Sequence, residues 1–301
     1  MSRSVPSRQP GARVLDAALV LIVCLTLVWL ALRLDRLDYH WNWSLLAGAF
    51  WRAGSATPGP LLQGLFTTVR LSVWSGLLAL VLGTLMALAR VSPRPFRRMV
   101  GTTYVEVVRN LPPLVLIFLG YFFFGSQLAA ALNLQERILA LPAWGQNALS
   151  LLLGPPGQFP ELLSAVLVLG LLEGAYITEI VRAGIRSLEP EQWEASCALG
   201  LTRGQQLRHV ILPQAMARML PALTGQFIST VKDTAIVSVI SVREATFQAT
   251  ELSAATYQTF EIWITVLALY LLLSGACSLA ARRLEERLAR RNGPLNRTGA
   301  L

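Results

Sequence analysis

Apolar runs of about twenty residues recur along this chain, and most of them end at arginines. A run of that length matches the hydrocarbon thickness of a bilayer, and inside hydrocarbon only a helix or a closed barrel satisfies its own backbone groups. The runs begin near Val14, Gly64, Gly101, Glu161, Met219 and Trp263, and end near Leu32, Ala89, Phe124, Ile180, Ile240 and Ala280. They predict an all-α polytopic membrane protein with about six transmembrane helices. Composition agrees, since 54% of the 301 residues are hydrophobic and only 14% are charged, too apolar for an ordinary soluble domain.

The arginines orient these spans. Arg3, Arg8 and Arg13 precede the first run, which is long enough to span and is followed by no small-residue cleavage site. It reads as a retained anchor with a cytoplasmic N-terminus. Residues 34–60 then lie outside, with Trp41, Trp43, Phe50 and Trp51 spaced as an interfacial element. Arg70, near the outer end of the second run, can snorkel. Arg90, Arg94, Arg97 and Arg98 cluster after that run, Arg182 and Arg186 end the fourth, and the tail from Arg282 to Arg291 is a basic helix with Glu286 and Arg290 at i, i+4. The outer loops, including a long one over 125–160, hold only Arg33, Arg36, Arg52, Arg137 and Arg243. The positive-inside bias places both termini in the cytoplasm. The predicted organisation is 1–60 for tail, anchor and outer segment, 61–281 for the transmembrane domain and 282–301 for the basic tail.

A net charge of +9 and a pI near 10.3 would suggest nucleic acid in a soluble protein. Here the arginines sit at the ends of apolar runs, so they read as topology determinants and contacts to membrane lipids, with no nucleic acid as partner. Cys24, Cys197 and Cys277 form no CxxC pair, and His40 and His209 are isolated. No disulfide framework or metal site is expected.

Between the fourth and fifth runs lies a polar, basic stretch from Glu189 to Ala215, EPEQWEASCALGLTRGQQLRHVILPQA. Pro190 suits a first helical position, where the amide has no internal partner anyway, and Gly200 suits the stop ten residues later. Ala195, Ala198 and Leu199 then share a narrow stripe that can approach another backbone, while Glu191 and Glu194 point elsewhere. Thr202 and Gln205 have capping-box spacing for a second helix, which Pro213 is expected to end. Two short helices in series make a plug too polar for hydrocarbon, on the cytoplasmic side.

Within that stretch, Gln192-Trp193-Glu194-Ala195-Ser196, Leu199-Gly200-Leu201 and Ile211-Leu212-Pro213-Gln214-Ala215 resemble the EAA loop of ABC-importer permeases. Ser196 stands where the family usually has a second alanine, a change conservative in size. Residues from Gly64 to Ser72 resemble the entry to the first core helix of the polar amino-acid permeases, the histidine, glutamine, glutamate and general amino-acid group. Tyr104 to Pro112 resembles their second, Ala175 to Ile185 their third, and Lys232 to Ile236 a run in their fourth. The resemblance covers roughly Gly64 to Ala280. It implies a type I ABC importer permease core of five helices, with Val14 to Leu32 as an added anchor, in a bacterial inner membrane. In that family the EAA loop is a coupling helix seated in a groove of the ATPase subunit. This assigns Gln192, Trp193, Glu194, Ala195, Ser196, Leu199, Gly200 and Pro213 to ATPase coupling. The implied partners are an ABC ATPase dimer that uses ATP and Mg, a second permease, identical or paralogous, a periplasmic solute-binding protein and an amino-acid substrate. This chain itself is expected to bind no cofactor.

Charge inside a bilayer is expensive unless it faces protein or water. Glu106 and Arg109 are three apart on one helical face and can pair, and Pro112 with Pro113 breaks the same helix. Lys232 and Asp233 adjoin in the fifth run, and Glu173 lies beside Gly174 in the fourth. One reading makes these internal ion pairs that set helix packing. The other makes them a pathway for a zwitterion, with Arg109 or Lys232 meeting an α-carboxylate and Glu173 or Asp233 an α-ammonium. Asn110, Tyr176 and Glu179 complete that candidate set. Members of the resembled subfamily usually carry a small or neutral polar residue where Glu173 stands, which marks either a distinct substrate or a local ion pair.

Catalysis by this chain is not expected. A P-loop needs a glycine-rich turn followed by lysine, and the single lysine, Lys232, lies in an apolar run without a GK[ST] context. No HExxH or GxSxG motif and no paired aspartates suggest a membrane enzyme. The alternative transport reading is an ion-gradient-driven secondary transporter, which often shows inverted repeats; none is evident here.

Overall fold

The computed structural model describes residues 18–26, 28–29, 39–52, 57–125, 127, 131 and 133–291. The N-terminal tail with Arg3, Arg8 and Arg13, the flanking Arg33 and Arg36, and residues 292–301 of the basic tail lie outside these. Contacts divide the chain into two units, Met1–Asn42 and Trp43–Leu301. In the first unit, 18–26 is helical with its side chains exposed. Tyr39 packs edge-on to Trp41 at 5.0 Å between centroids.

Among its described residues, the second unit is helical apart from an isolated bridge between Trp51 and Pro58. Its helices are α1 (Leu45–Phe50), α2 (Pro60–Arg90), α3 (Pro95–Asn110), α4 (Pro113–Leu119), α5 (Leu134–Leu139), α6 (Ala143–Leu153), α7 (Phe159–Arg186), α8 (Pro190–Ala198), α9 (Arg203–Gln205), α10 (Leu212–Asp233), α11 (Ala245–Thr256) and α12 (Thr259–Arg291). By length and apolarity, α2, residues Pro156–Arg186 around α7, and α12 up to Arg287 qualify as spans, and the bent pair Pro95–Asn110 with Pro113–Phe123 makes a possible fourth. The fifth predicted run is helical too, but Arg218, Gln226, Lys232 and Asp233 make α10 too polar to stand out by composition.

Three boundaries depart from the sequence reading. The third predicted span, 101–124, is not one rod. The helix starts earlier, at Pro95, and turns by 108° between Asn110 and Pro113. Pro112 and Pro113 supply no amide hydrogens, and a residue before proline prefers extended backbone; Leu111 has ψ of 141°. The long outer segment over 125–160 is not mere loop but carries α5 and α6. Arg70 Nε donates to the Leu151 carbonyl at 3.1 Å and Trp74 Nε1 to Leu152 at 3.1 Å, which ties the end of α6 to α2. Lastly, the sixth span and the basic tail form one continuous helix, α12.

The core sits where α2 meets α7. Gly83 of α2 faces Gly174 and Ile177 of α7 so closely that an added Cβ would lie 2.8 Å from the Gly174 carbonyl oxygen. Only glycine permits that approach. Around this crossing Ala79, Ala87, Ile177, Val181, Ile185, Ile211 and Ala215 are buried in one cluster, which joins both spans to the polar stretch. A second cluster of Leu71, Ile117, Leu169, Val237 and Ile240 lies towards the other end. The plug is thus braced on the spans that carry the intramembrane charges.

Candidate functional site

The plug forms from the punctuation in its sequence. α8 opens on Pro190 at its first position. It closes with Gly200 at φ 74°. The Gly200 amide donates to Cys197 O at 2.9 Å and that of Leu201 to Ser196 O at 3.3 Å, the paired bonds of a Schellman stop. Thr202 and Gln205 form the expected capping box, with the Thr202 amide 2.9 Å from Gln205 Oε1. The expectation that Pro213 ends this helix is corrected. A π-helical turn over Gln206–Ile211 leads directly into α10, so the plug's second helix and the span are one rod. In a regular helix the Pro213 ring would collide with the His209 carbonyl, and the wider π turn makes room for it.

Two faces separate the predicted coupling residues. On the inner face, Ser196 is buried and its hydroxyl donates to Trp193 O at 2.9 Å. Trp193 packs on the cluster around Ile185 and Ile211. The Arg203 guanidinium lies 4.1 Å from the Trp193 ring centroid, a cation–π stack. Gln214 Nε2 donates to Gln192 Oε1 at 3.0 Å, and buried Gln206 donates to Leu201 O at 3.1 Å. Arg218 donates to the Ser187 carbonyl. Trp193, Gln214 and Arg218 fasten the plug to the spans, and the other contacts hold the plug itself together. On the outer face Glu191, Glu194, Ala195, Ala198 and Gly200 are exposed, and Leu199 is 79% exposed. Pro213 is also exposed. The expected stripe of Ala195, Ala198 and Leu199 therefore faces away from the chain's own core.

The intramembrane charges are arranged differently from the pairing read in sequence. Glu106 and Arg109 form no ion pair among the described residues. Asn110 Nδ2 instead donates to Glu106 Oε2 at 3.3 Å and to Glu106 O at 2.8 Å. Arg109 lies over the Tyr176 ring at 5.2 Å. The stack is available because Tyr176 of α7 packs beside Val108 of α3. One turn before Tyr176, Glu173 is fully buried. Its Oε2 accepts from Gln226 Nε2 at 2.6 Å and Thr230 Oγ1 at 3.0 Å, both on α10, while Oε1 has no hydrogen-bond partner. Asp233 is near enough to interact with the same carboxylate. Lys232 is exposed and does not pair with Asp233. Glu179 stands apart from this set: its two oxygens are engaged by Arg90 and by Arg182, the latter at 2.6 Å, so it ties α2 to α7.

Sequence reasoning missed Gln226 and Thr230, although a polar pair at i, i+4 within an apolar run was a legible signal. It also missed Glu244. That buried carboxylate accepts from the Thr246 and Phe247 amides at 2.8 Å, from Tyr270 Oη at 2.8 Å and from Thr68 Oγ1 at 3.4 Å, joining α2, α11 and α12. Burial pushes the Glu244 carboxyl above its ordinary range, and hydrogen bonds from Thr246, Tyr270 and Phe247 oppose that shift. Glutamate is not a favoured N-cap, so no local pattern announced it.

A bent helix pair that passes as one broken span, glycine-mediated packing of α2 on α7 and a polar helical insert braced on the spans describe a polytopic membrane subunit. The chain belongs to the family described as "binding-protein-dependent transport system inner membrane component", whose family model matches residues 79–291. It is thus the permease subunit of an ABC importer and not its ATPase. The glutamine transport system permease protein of Escherichia coli is 34% identical over 228 residues, 76% of this chain and 92% of the relative. The L-cystine transport system permease protein of Bacillus subtilis is 33% identical over 250 residues, 82% and 92% of the two chains. Among solved structures, an amino acid ABC transporter with histidines has 30% identity and a TM-score of 0.60, over 76% of this chain and 94% of that one. The inward-facing MetNI methionine ABC transporter, at 19% identity and TM-score 0.57 over 76% and 96%, shares the fold.

Proposed function

We propose that this chain carries polar amino acids into the cell by alternating access, driven by a separate ATPase dimer that uses ATP and Mg. A second permease, identical or paralogous, completes the pathway, and an extracytoplasmic solute-binding protein delivers substrate at the outer mouth. Both termini lie in the cytoplasm. The outward face of α8, with Glu194, Ala195, Ala198 and Leu199, seats in the ATPase, and Gln192, Trp193 and Ser196 hold that face rigid. Because α9, the π turn and α10 are continuous and Gln214 of α10 is hydrogen-bonded to Gln192 of α8, closure of the ATPases moves α10, which carries the partners of Glu173. Glu179 acts as a tie between α2 and α7 and not as a substrate ligand.

The observation that carries the substrate class is the spacing of opposite charges. Glu173 keeps one buried carboxylate oxygen without a hydrogen-bond partner, and Arg109 is held over Tyr176 one turn away along α7. An α-ammonium meets the first and an α-carboxylate the second. The relatives named for glutamine and cystine transport support this reading. The test is uptake into proteoliposomes holding the whole importer, with binding protein and ATP. Uptake of amino acids should require ATP and survive collapse of ion gradients, and Glu173→Gln should weaken it at least tenfold. Unchanged affinity and substrate range in Glu173→Gln would remove the ammonium role.

A further inference from the structure

A cleft of about 780 Å³ opens between the end of α2, the start of α3 and the inner face of the plug. Its lining is divided by chemistry. Leu85 and Leu207 contribute apolar surface, Arg94, Arg97 and Arg203 basic surface, and Trp193 an aromatic ring. No acidic residue lines the cleft, and none of the three arginines is in an ion pair among the described residues.

We propose that this cleft holds the headgroup of one anionic phospholipid. α2 is an apolar span up to Arg90, so the cleft straddles the level at which hydrocarbon gives way to phosphate. Leu85 is 56% exposed on the span itself, and its surface is continuous with the site of an acyl chain. The Trp193 ring holds the Arg203 guanidinium at 4.1 Å from its centroid, a cation–π contact that uses none of the N–H donors a phosphodiester would take. A basic pocket between helices at the membrane surface fits a lipid phosphate by charge, and the apolar lining selects a lipid over free phosphate. Trp193 and Leu199 lie on different faces of α8, so an ATPase seated on the outward face leaves the cleft open. The bound headgroup would brace the plug through Trp193 and Arg203.

Native mass spectrometry of the full importer complex, exchanged from mild detergent into phosphatidylglycerol or phosphatidylcholine, tests this. The wild type should retain one more phosphatidylglycerol per chain than phosphatidylcholine. Retention should fall about fivefold for each arginine removed in R94Q, R97Q and R203Q, from about 1 kcal/mol per basic residue at a membrane surface. The corresponding triple lysine variant should keep most of the preference, separating charge loss from misfolding. Equal retention of the two lipids, or equal retention by wild type and the triple glutamine variant, would overturn the site. So would a glutamine variant that sheds the ATPase chain while keeping its lipid, since the cleft would then be a protein docking surface. Loss of the amino-acid assignment would leave each of these outcomes unaffected.

Discussion

Two acidic residues in this chain look alike in sequence and differ in what surrounds them. Glu179 is shared by Arg90 and Arg182, so Glu179→Gln strands two guanidiniums in partly buried positions. Hydrogen bonds to charged groups contribute about 2 kcal/mol each, and the stranded partners add to the loss. Glu179→Gln should therefore destabilise the purified complex by about 2 kcal/mol or more, with Arg90→Gln far less costly in that background than alone; thermal unfolding of the double-mutant cycle measures it. Additive losses would show that the two residues act separately. Glu244 differs in being a buried acceptor for four donors on three helices. Glu244→Ala leaves the Thr246 and Phe247 amides without their side-chain acceptor, although Tyr270 Oη keeps Thr246 Oγ1 at 3.2 Å, and should cost about 3 kcal/mol, read as a lowered unfolding temperature. The long-range half of neither partnership was visible in sequence, because Arg90 and Glu179 are 89 positions apart and Thr68 and Glu244 are 176 apart.

At the scale of elements, the plug was legible almost in full. Pro190, Gly200 and the Thr202–Gln205 box act within a turn or two of themselves, so local rules located them. Gly200→Ala puts a side chain at φ 74° and should cost about 1 kcal/mol, seen as faster amide exchange over residues 196–206 with the spans unaffected. The outward face makes a sharper prediction. Leu199→Asp and Glu194→Arg should leave the permease folded yet cut ATPase retention and transport-coupled hydrolysis by at least tenfold, as co-purification and phosphate release would show. Normal retention in both variants would move the coupling surface elsewhere. Pro213 was misread because the rule that proline ends a helix assumes a regular α-helix before it, and the π turn removes that assumption. The break at Pro112 was read correctly, but its 108° turn was not; how far a proline-broken helix bends depends on what the second half packs against.

For the whole molecule, the continuity of α9, the π turn and α10 means that, with the plug seated in an ATPase as proposed, movement of its second helix reaches Gln226 and Thr230 through one rod. A cysteine pair locking α10 to α7 near Glu173 should then abolish transport while leaving ATPase binding intact. Restored uptake after reduction would confirm that relative motion of these two helices is required. Membrane class, helical fold and the position of the polar insert were legible in the sequence alone, because hydrophobic length, charge bias and capping are local quantities. Only tertiary structure decided which charges meet. Arg109 turned to Tyr176 instead of Glu106, Asn110 took Glu106, and Glu173 found its partners on α10, since contact across helices depends on rotation and crossing of whole elements, here set by the close glycine approach of α2 to α7.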